Sequence, residues 1–149
     1  MVSKLLVATD GSDSAWKAVK YAVGFAKQIG ASITLVSVID KSSLIVQSIP
    51  SLETASNLIA PIEDYLQQAA EAYIQKAERL CNKNGIIVKK VIRSGHPVEE
   101  IIKEAKRSKA SIIVLGSYGK GMLETAVLGS ITQGVIHNSA KFPVLVVRK

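Results

Sequence analysis

Short unbroken apolar runs alternate along this chain with longer segments whose apolar residues return every three to four positions. The first run, Lys4 to Thr9, carries four successive apolar residues, the mark of a parallel strand covered on both faces. The turn Asp10-Gly11-Ser12-Asp13-Ser14 follows, in which Ser12 or Asp13 suits the cap of the next helix and the Asp13 carboxylate suits its positive end. That helix places Ala15, Ala18, Val19, Ala22, Phe25, Ala26 and Ile29 on one face, with Lys17, Lys20, Lys27 and Gln28 opposite, and Gly30 ends it.

Ile33 to Ile39 is a second strand. The stretch from Asp40 to Ala60 has no clear period, and its serines and Pro50 predict a lid or loosely ordered loop, with room for a short helix at Leu52 to Leu58. Pro61 fits the first turn of a long helix whose apolar face runs through Ile62, Tyr65, Leu66, Ala69, Tyr73, Ala77 and Leu80 to a stop at Asn84-Gly85. A third strand, Ile86 to Ile92, is broken by Lys89 and Lys90, which predicts a sheet edge. Gly95-His96-Pro97 opens a helix with Val98, Ile101, Ile102 and Ala105 on one face and a Glu99 to Lys103 pair on the other. Ile112 to Leu115 and Val144 to Val147 are the last strands, with a helix from Ser130 to His137 between them. Strands that alternate with crossover-length helices predict one α/β domain over residues 1–149, a doubly wound parallel sheet with helices on both faces.

Composition narrows the class. Hydrophobic residues make up 48% of the 149, enough for a sizeable core without disulfides or metals. No apolar run approaches the roughly 20 residues of a membrane span, and the start passes straight into strand with no signal peptide, so a cytoplasmic protein is expected. The lone cysteine, Cys81, has no disulfide partner and is expected to be partly buried. A net charge of +7 leaves polyanions open as partners. With the cations spread through the chain, few aromatics and no nucleic-acid motif, nucleic-acid binding is not expected.

The candidate chemistry lies after the fourth strand, where Gly116, Gly119, Gly129 and Ser130 form the pattern G-x2-G-x9-G-S. Glycine permits positive φ and close approach of backbone to ligand, and successive amides before a helix N-terminus make an anion-binding concavity. Phosphate is therefore the expected ligand, held by amides near Gly119, Gly129, Ser130 and Ile131, with the Ser130 hydroxyl as an extra donor, while Lys120 either neutralises phosphate charge or is a solvated lysine of the loop. Asp10 ends the first strand and serves either as a cap for the first helix or as a partner for ribose or a phosphate-borne metal, and Thr9 helps to shape the pocket. Tyr118 can stack on or cover a nucleotide. His96 and His137 are read as structural or surface residues, and Ser12 and Ser14 lack the base a nucleophile needs, so no catalytic or metal-ligating residue is assigned.

Val7-Ala8-Thr9-Asp10-Gly11-Ser12, Val38-Ile39-Asp40, Gly116 to Ser130 and the closing Pro143 to Val147 together resemble the universal stress protein family, in its ATP-binding branch, over essentially the whole chain. The resemblance implies the strand order 3-2-1-4-5 of the adenine nucleotide alpha hydrolase-like folds. It implies ATP as ligand, with magnesium or manganese carried by the phosphates, since one aspartate is too few ligands for a protein-built site. It also implies main-chain hydrogen bonds from Val38 to adenine, a nucleoside lined by Asp10, Leu115 and Gly116, and a homodimer joined through the edge strand Val144, Leu145, Val146 and Val147.

Three functions follow for comparison. The first is an ATP-binding regulatory switch in stress response. The second is a weak or partner-dependent ATP hydrolase, disfavoured because both G-x4-G-K-[ST] and the Ser-Gly-Gly-x-Asp-Ser loop of adenylating enzymes are absent. The third is a dimeric interaction module that binds no nucleotide, disfavoured by the complete glycine set.

Overall fold

In a computed structural model of the chain, which describes residues 2–40, 52–118 and 128–148, the apolar runs become one parallel sheet. Its strands are β1 (Lys4–Ala8), β2 (Ser32–Ile39), β3 (Val88–Ser94), β4 (Ile112–Gly116) and β5 (Val144–Val147). They stand in the order β3-β2-β1-β4-β5, as the resemblance implied. The helices are α1 (Asp13–Ile29), α2 (Leu52–Lys83), α3 (Pro97–Ser108) and α4 (Ser130–Asn138).

Successive side chains of a strand point to opposite faces, so the apolar run of β1 feeds two cores. Leu5 and Val7 join Ile33, Leu35 and Val114 beneath Ala18 and Ala22 of α1 and Ile74 and Ala77 of α2. Leu6 joins Val36, Ile113 and Leu115 beneath Ile101 and Ala105 of α3 and Val135 of α4. Helices therefore cover both faces, which is why β1 and β4 read as unbroken apolar runs. In β3 the lysines Lys89 and Lys90 are exposed, and the strand is an edge as expected.

Some boundaries shift. Pro61 does not begin a helix: it lies inside α2, which starts at Leu52 and takes in the short helix expected there. A proline within a helix forfeits one backbone hydrogen bond. The buried stripe Ala70, Ile74, Ala77 and Cys81 anchors α2 on the sheet. On that stripe's phase Tyr65 falls on the far side, 70% exposed, while Cys81 is wholly rather than partly buried. Ile29, expected on the inner face of α1, is 40% exposed. Lys103 pairs with Glu100, at 3.2 Å, in place of the expected Glu99. Residues 41–51, which contain most of the expected lid, lie outside the described residues.

Candidate functional site

The chain turns to opposite sides of the sheet after β1 and after β4, so a crevice opens at the carboxyl ends of these two neighbours. The β1 end is built by local hydrogen bonds. Thr9 extends the ladder by one residue, its amide donating to the Val36 carbonyl at 2.9 Å. Asp10 Oδ1 accepts the Ser12 amide at 2.9 Å, an Asx turn, and the Ser12 hydroxyl accepts the Ala15 amide at 3.1 Å to cap α1. Of the expected candidates, Ser12 thus caps the helix and Asp10 shapes the turn before it. Gly11 is required twice over, by its φ of 80° and because a Cβ would collide with the Tyr73 ring.

The β4 end is pinned from three directions. The Thr132 hydroxyl donates to the Gly116 carbonyl at 2.8 Å, and the Ser14 hydroxyl accepts the Tyr118 amide at 3.3 Å. The Gly129 amide donates to the Ser117 carbonyl at 2.7 Å, so the two ends of the intervening loop meet. Two expectations change here. Neither Gly116 nor Gly129 takes positive φ; Gly116 is needed because a Cβ would lie 2.5 Å from Ser14 Oγ and 2.8 Å from the Ser14 carbonyl carbon. The Gly129 amide, expected to face a phosphate, is already bonded within the protein. Gly119 and Lys120 lie outside the described residues.

An open helix start remains. Gly129 caps α4 without a side-chain hydrogen bond, and the first internal bond of the helix runs from the Gln133 amide to the Gly129 carbonyl at 2.9 Å. The amides of Ser130, Ile131 and Thr132 precede that bond, and their N–H groups carry the positive end of the helix dipole. Ser130 is exposed at the very start of the helix.

Six of the expected residues, Thr9, Asp10, Val38, Leu115, Gly116 and Ile131, line one cleft, and Tyr118 joins them. Ala8, Ala15, Val36, Pro97, Ile101 and Thr132 also line it and were not anticipated. Val36 had a signal in the sequence, since it shares a face with Val38 two residues on. Pro97 and Ile101 had none, because they reach the cleft from α3 across the sheet. Main-chain groups of β2 also face it. Val36 turns its carbonyl toward β1, and with the strand period of two Val38 faces the same way, past the last residue of β1.

A buried ionic network fixes the α3 wall. Arg93, opposite Val38 in the ladder, donates to Glu100 at 2.8 Å and to Glu104 at 3.1 Å. The guanidinium holds the Glu100 carboxyl below its usual range, with Lys103 helping, and Glu100 in turn raises the Arg93 value. Among the described residues no group of three or more His, Cys, Asp or Glu is placed to hold a metal ion. No helix among them is long and apolar enough to cross a membrane.

Comparison with known proteins extends this picture. The model of the universal stress protein family matches residues 1–148. Universal stress protein MJ0531 of Methanocaldococcus jannaschii is 33% identical over 149 residues, which span 100% of this chain and 84% of the relative. The solved structure of protein MJ0577, from the same organism, has a TM-score of 0.83 at 31% identity, over 100% of this chain and 97% of that one. A universal stress protein solved in complex with cAMP shares the fold at a TM-score of 0.68 and 24% identity, over 99% of this chain and 97% of the other.

Proposed function

The chain belongs to the universal stress protein family, and from that membership we propose that it binds ATP in the β1/β4 cleft and acts as a nucleotide-dependent switch in stress response. The observation that carries the reading is a single cleft with an apolar slot at one end and an uncapped helix start at the other. Val36, Val38, Ile101 and Leu115 offer apolar surface to a base, and the Val38 main chain offers hydrogen bonds to its edge. Asp10 faces the ribose while its Oδ1 keeps the turn. The first-turn amides of α4 and the Ser130 hydroxyl take the phosphates. Magnesium or manganese carried by the phosphates would supply charge neutralisation there, with Asp10 the one acidic residue lining the cleft. The cAMP complex of a protein of the same fold supports an adenine nucleotide as the class of ligand.

Equilibrium binding of labelled ATP tests the reading. Saturable binding of one nucleotide per chain is expected, with turnover far below about 1 per second. Absence of saturable binding removes the proposal, and turnover above that rate reassigns the protein as a hydrolase. We also propose a homodimer. β5 is an edge strand whose Val144 to Val147 carry no charge, so pairing with the same strand of a second copy would satisfy its open backbone groups. Sedimentation of a monomer at micromolar concentration would refute it.

A further inference from the structure

At the opposite end of the sheet, on the α3 face, the amino ends of β1, β2 and β3 and the last turn of α3 enclose a second cleft of about 370 Å³. Four cations line it, Lys4, Lys89, Arg107 and Lys109, together with Ser32 and Ser108, and none of its lining residues is acidic. The ladder explains the convergence. Lys4 pairs in register with Ser32, and Lys89 pairs with Thr34. Lys4 shares a face with Leu6 of the α3-side core, and Lys89 shares one with Val91 of the same core.

The division of charge is specific. Lys90 turns to the other face of the sheet, where it meets Glu78 of α2 at 3.2 Å. Lys89 turns to the cleft, and among the described residues neither it nor Lys4 nor Lys109 forms an ion pair. Arg107 is held only loosely, with its Nε 4.0 Å from Glu104 Oε2 and its side chain 72% exposed. The other Glu104 oxygen is taken by Arg93 at 3.1 Å. Four like charges around one concavity repel one another, and an anion of several charges placed among them converts that repulsion into attraction. The cleft is lined by no aromatic residue on which bases could stack, and it is concave rather than an extended stripe, which speaks against a nucleic-acid track.

We propose that this cleft is a second anion site, distinct from the nucleotide cleft, that takes a compact polyphosphate. Calorimetric titration of sodium tripolyphosphate into the protein, with and without saturating ATP, tests it. Without ATP, tripolyphosphate also fills the phosphate end of the nucleotide cleft; with ATP saturating, one saturable event per chain is expected, weakening steeply as salt rises. Lys4→Gln combined with Lys89→Gln should weaken it by about tenfold or more, since two of four cations are removed. These two side chains are exposed and touch no buried acid, so the melting temperature should hold; Arg107→Gln provides an independent second variant. Failure of tripolyphosphate to bind, or binding abolished by ATP and unchanged in the double variant, overturns the proposal. Duplex DNA bound more tightly than tripolyphosphate through the same lysines would overturn the choice of a compact ligand. The double variant should leave ATP binding unaltered, so this site and the nucleotide site can fail separately.

Discussion

Replacing Ser130 by aspartate should make the protein slightly more stable and a poorer ATP binder, two effects of opposite sign from one charge. Ser130 is the first residue of α4, its side chain is exposed, and the cap before it is a glycine that makes no side-chain bond. A carboxylate there meets the positive end of the helix dipole, a gain of about 0.3–1 kcal/mol. For a domain of this length that raises the melting temperature by roughly 1–4 °C. The same carboxylate confronts the phosphate that takes the first-turn amides. At a separation of about 6 Å, Coulomb repulsion between unit charges is roughly 0.7 kcal/mol at the dielectric of water and about 3 kcal/mol at an effective value near 20. The expected loss of ATP affinity is therefore about 3- to 100-fold, shrinking as ionic strength rises. Adenosine, which has no phosphate, should bind both proteins equally, and Ser130→Ala isolates the hydroxyl. Thermal melts and calorimetry with ATP and adenosine read all of these quantities. Unchanged ATP affinity with a raised melting temperature would show that the phosphates do not sit at α4. An equal fall for ATP and adenosine would show that the substitution acts on the pocket and not through charge.

Four further outcomes follow from other parts of the structure. Arg93→Met strands the buried Glu104 carboxylate and should cost about 2–4 kcal/mol in denaturant unfolding, the cost falling when Glu104→Gln is added. Because the Glu100 value is lowered in the folded state, its contribution is present above the ordinary carboxylate range and lost as pH falls through the folded value; acid titration of Arg93→Met should lack that component. Burial pushes the Cys81 thiol up to about 11, so it should resist thiol reagents until the protein unfolds, and stability should decline as pH rises from the ordinary thiol range toward that value. Gly116→Ala would press a methyl group against Ser14 and should cost about 1–3 kcal/mol, with a parallel loss of ATP affinity as the cleft floor shifts.

The glycine pattern after β4 shows how far residues alone could lead. Its position at a strand end before a helix marked the carboxyl end of β4, the strand order and the places of Asp10, Val38 and Leu115 came from the family resemblance, and Thr9, Asp10, Val38, Leu115, Gly116 and Ile131 do line one cleft there. The reason for each glycine was not legible. Gly116 makes room for Ser14, and the Gly129 amide closes the loop onto Ser117, because both depend on contacts with residues far along the chain. Glu100 and Glu104 posed the same problem. Nothing within α3 itself accounts for their burial, and only Arg93, arriving from β3, explains it.

Strand identities, most helix spans and the edge character of β3 were determined by sequence alone, which also narrowed the α1 cap to Ser12 or Asp13, because burial periodicity and capping act within a few residues of one another. The partner of Lys103, the α3 wall of Pro97 and Ile101, and the meeting of Lys4, Lys89, Arg107 and Lys109 were decided only by tertiary structure. Each joins elements that are distant in the chain, and their distances are set by how helices pack across a twisted sheet.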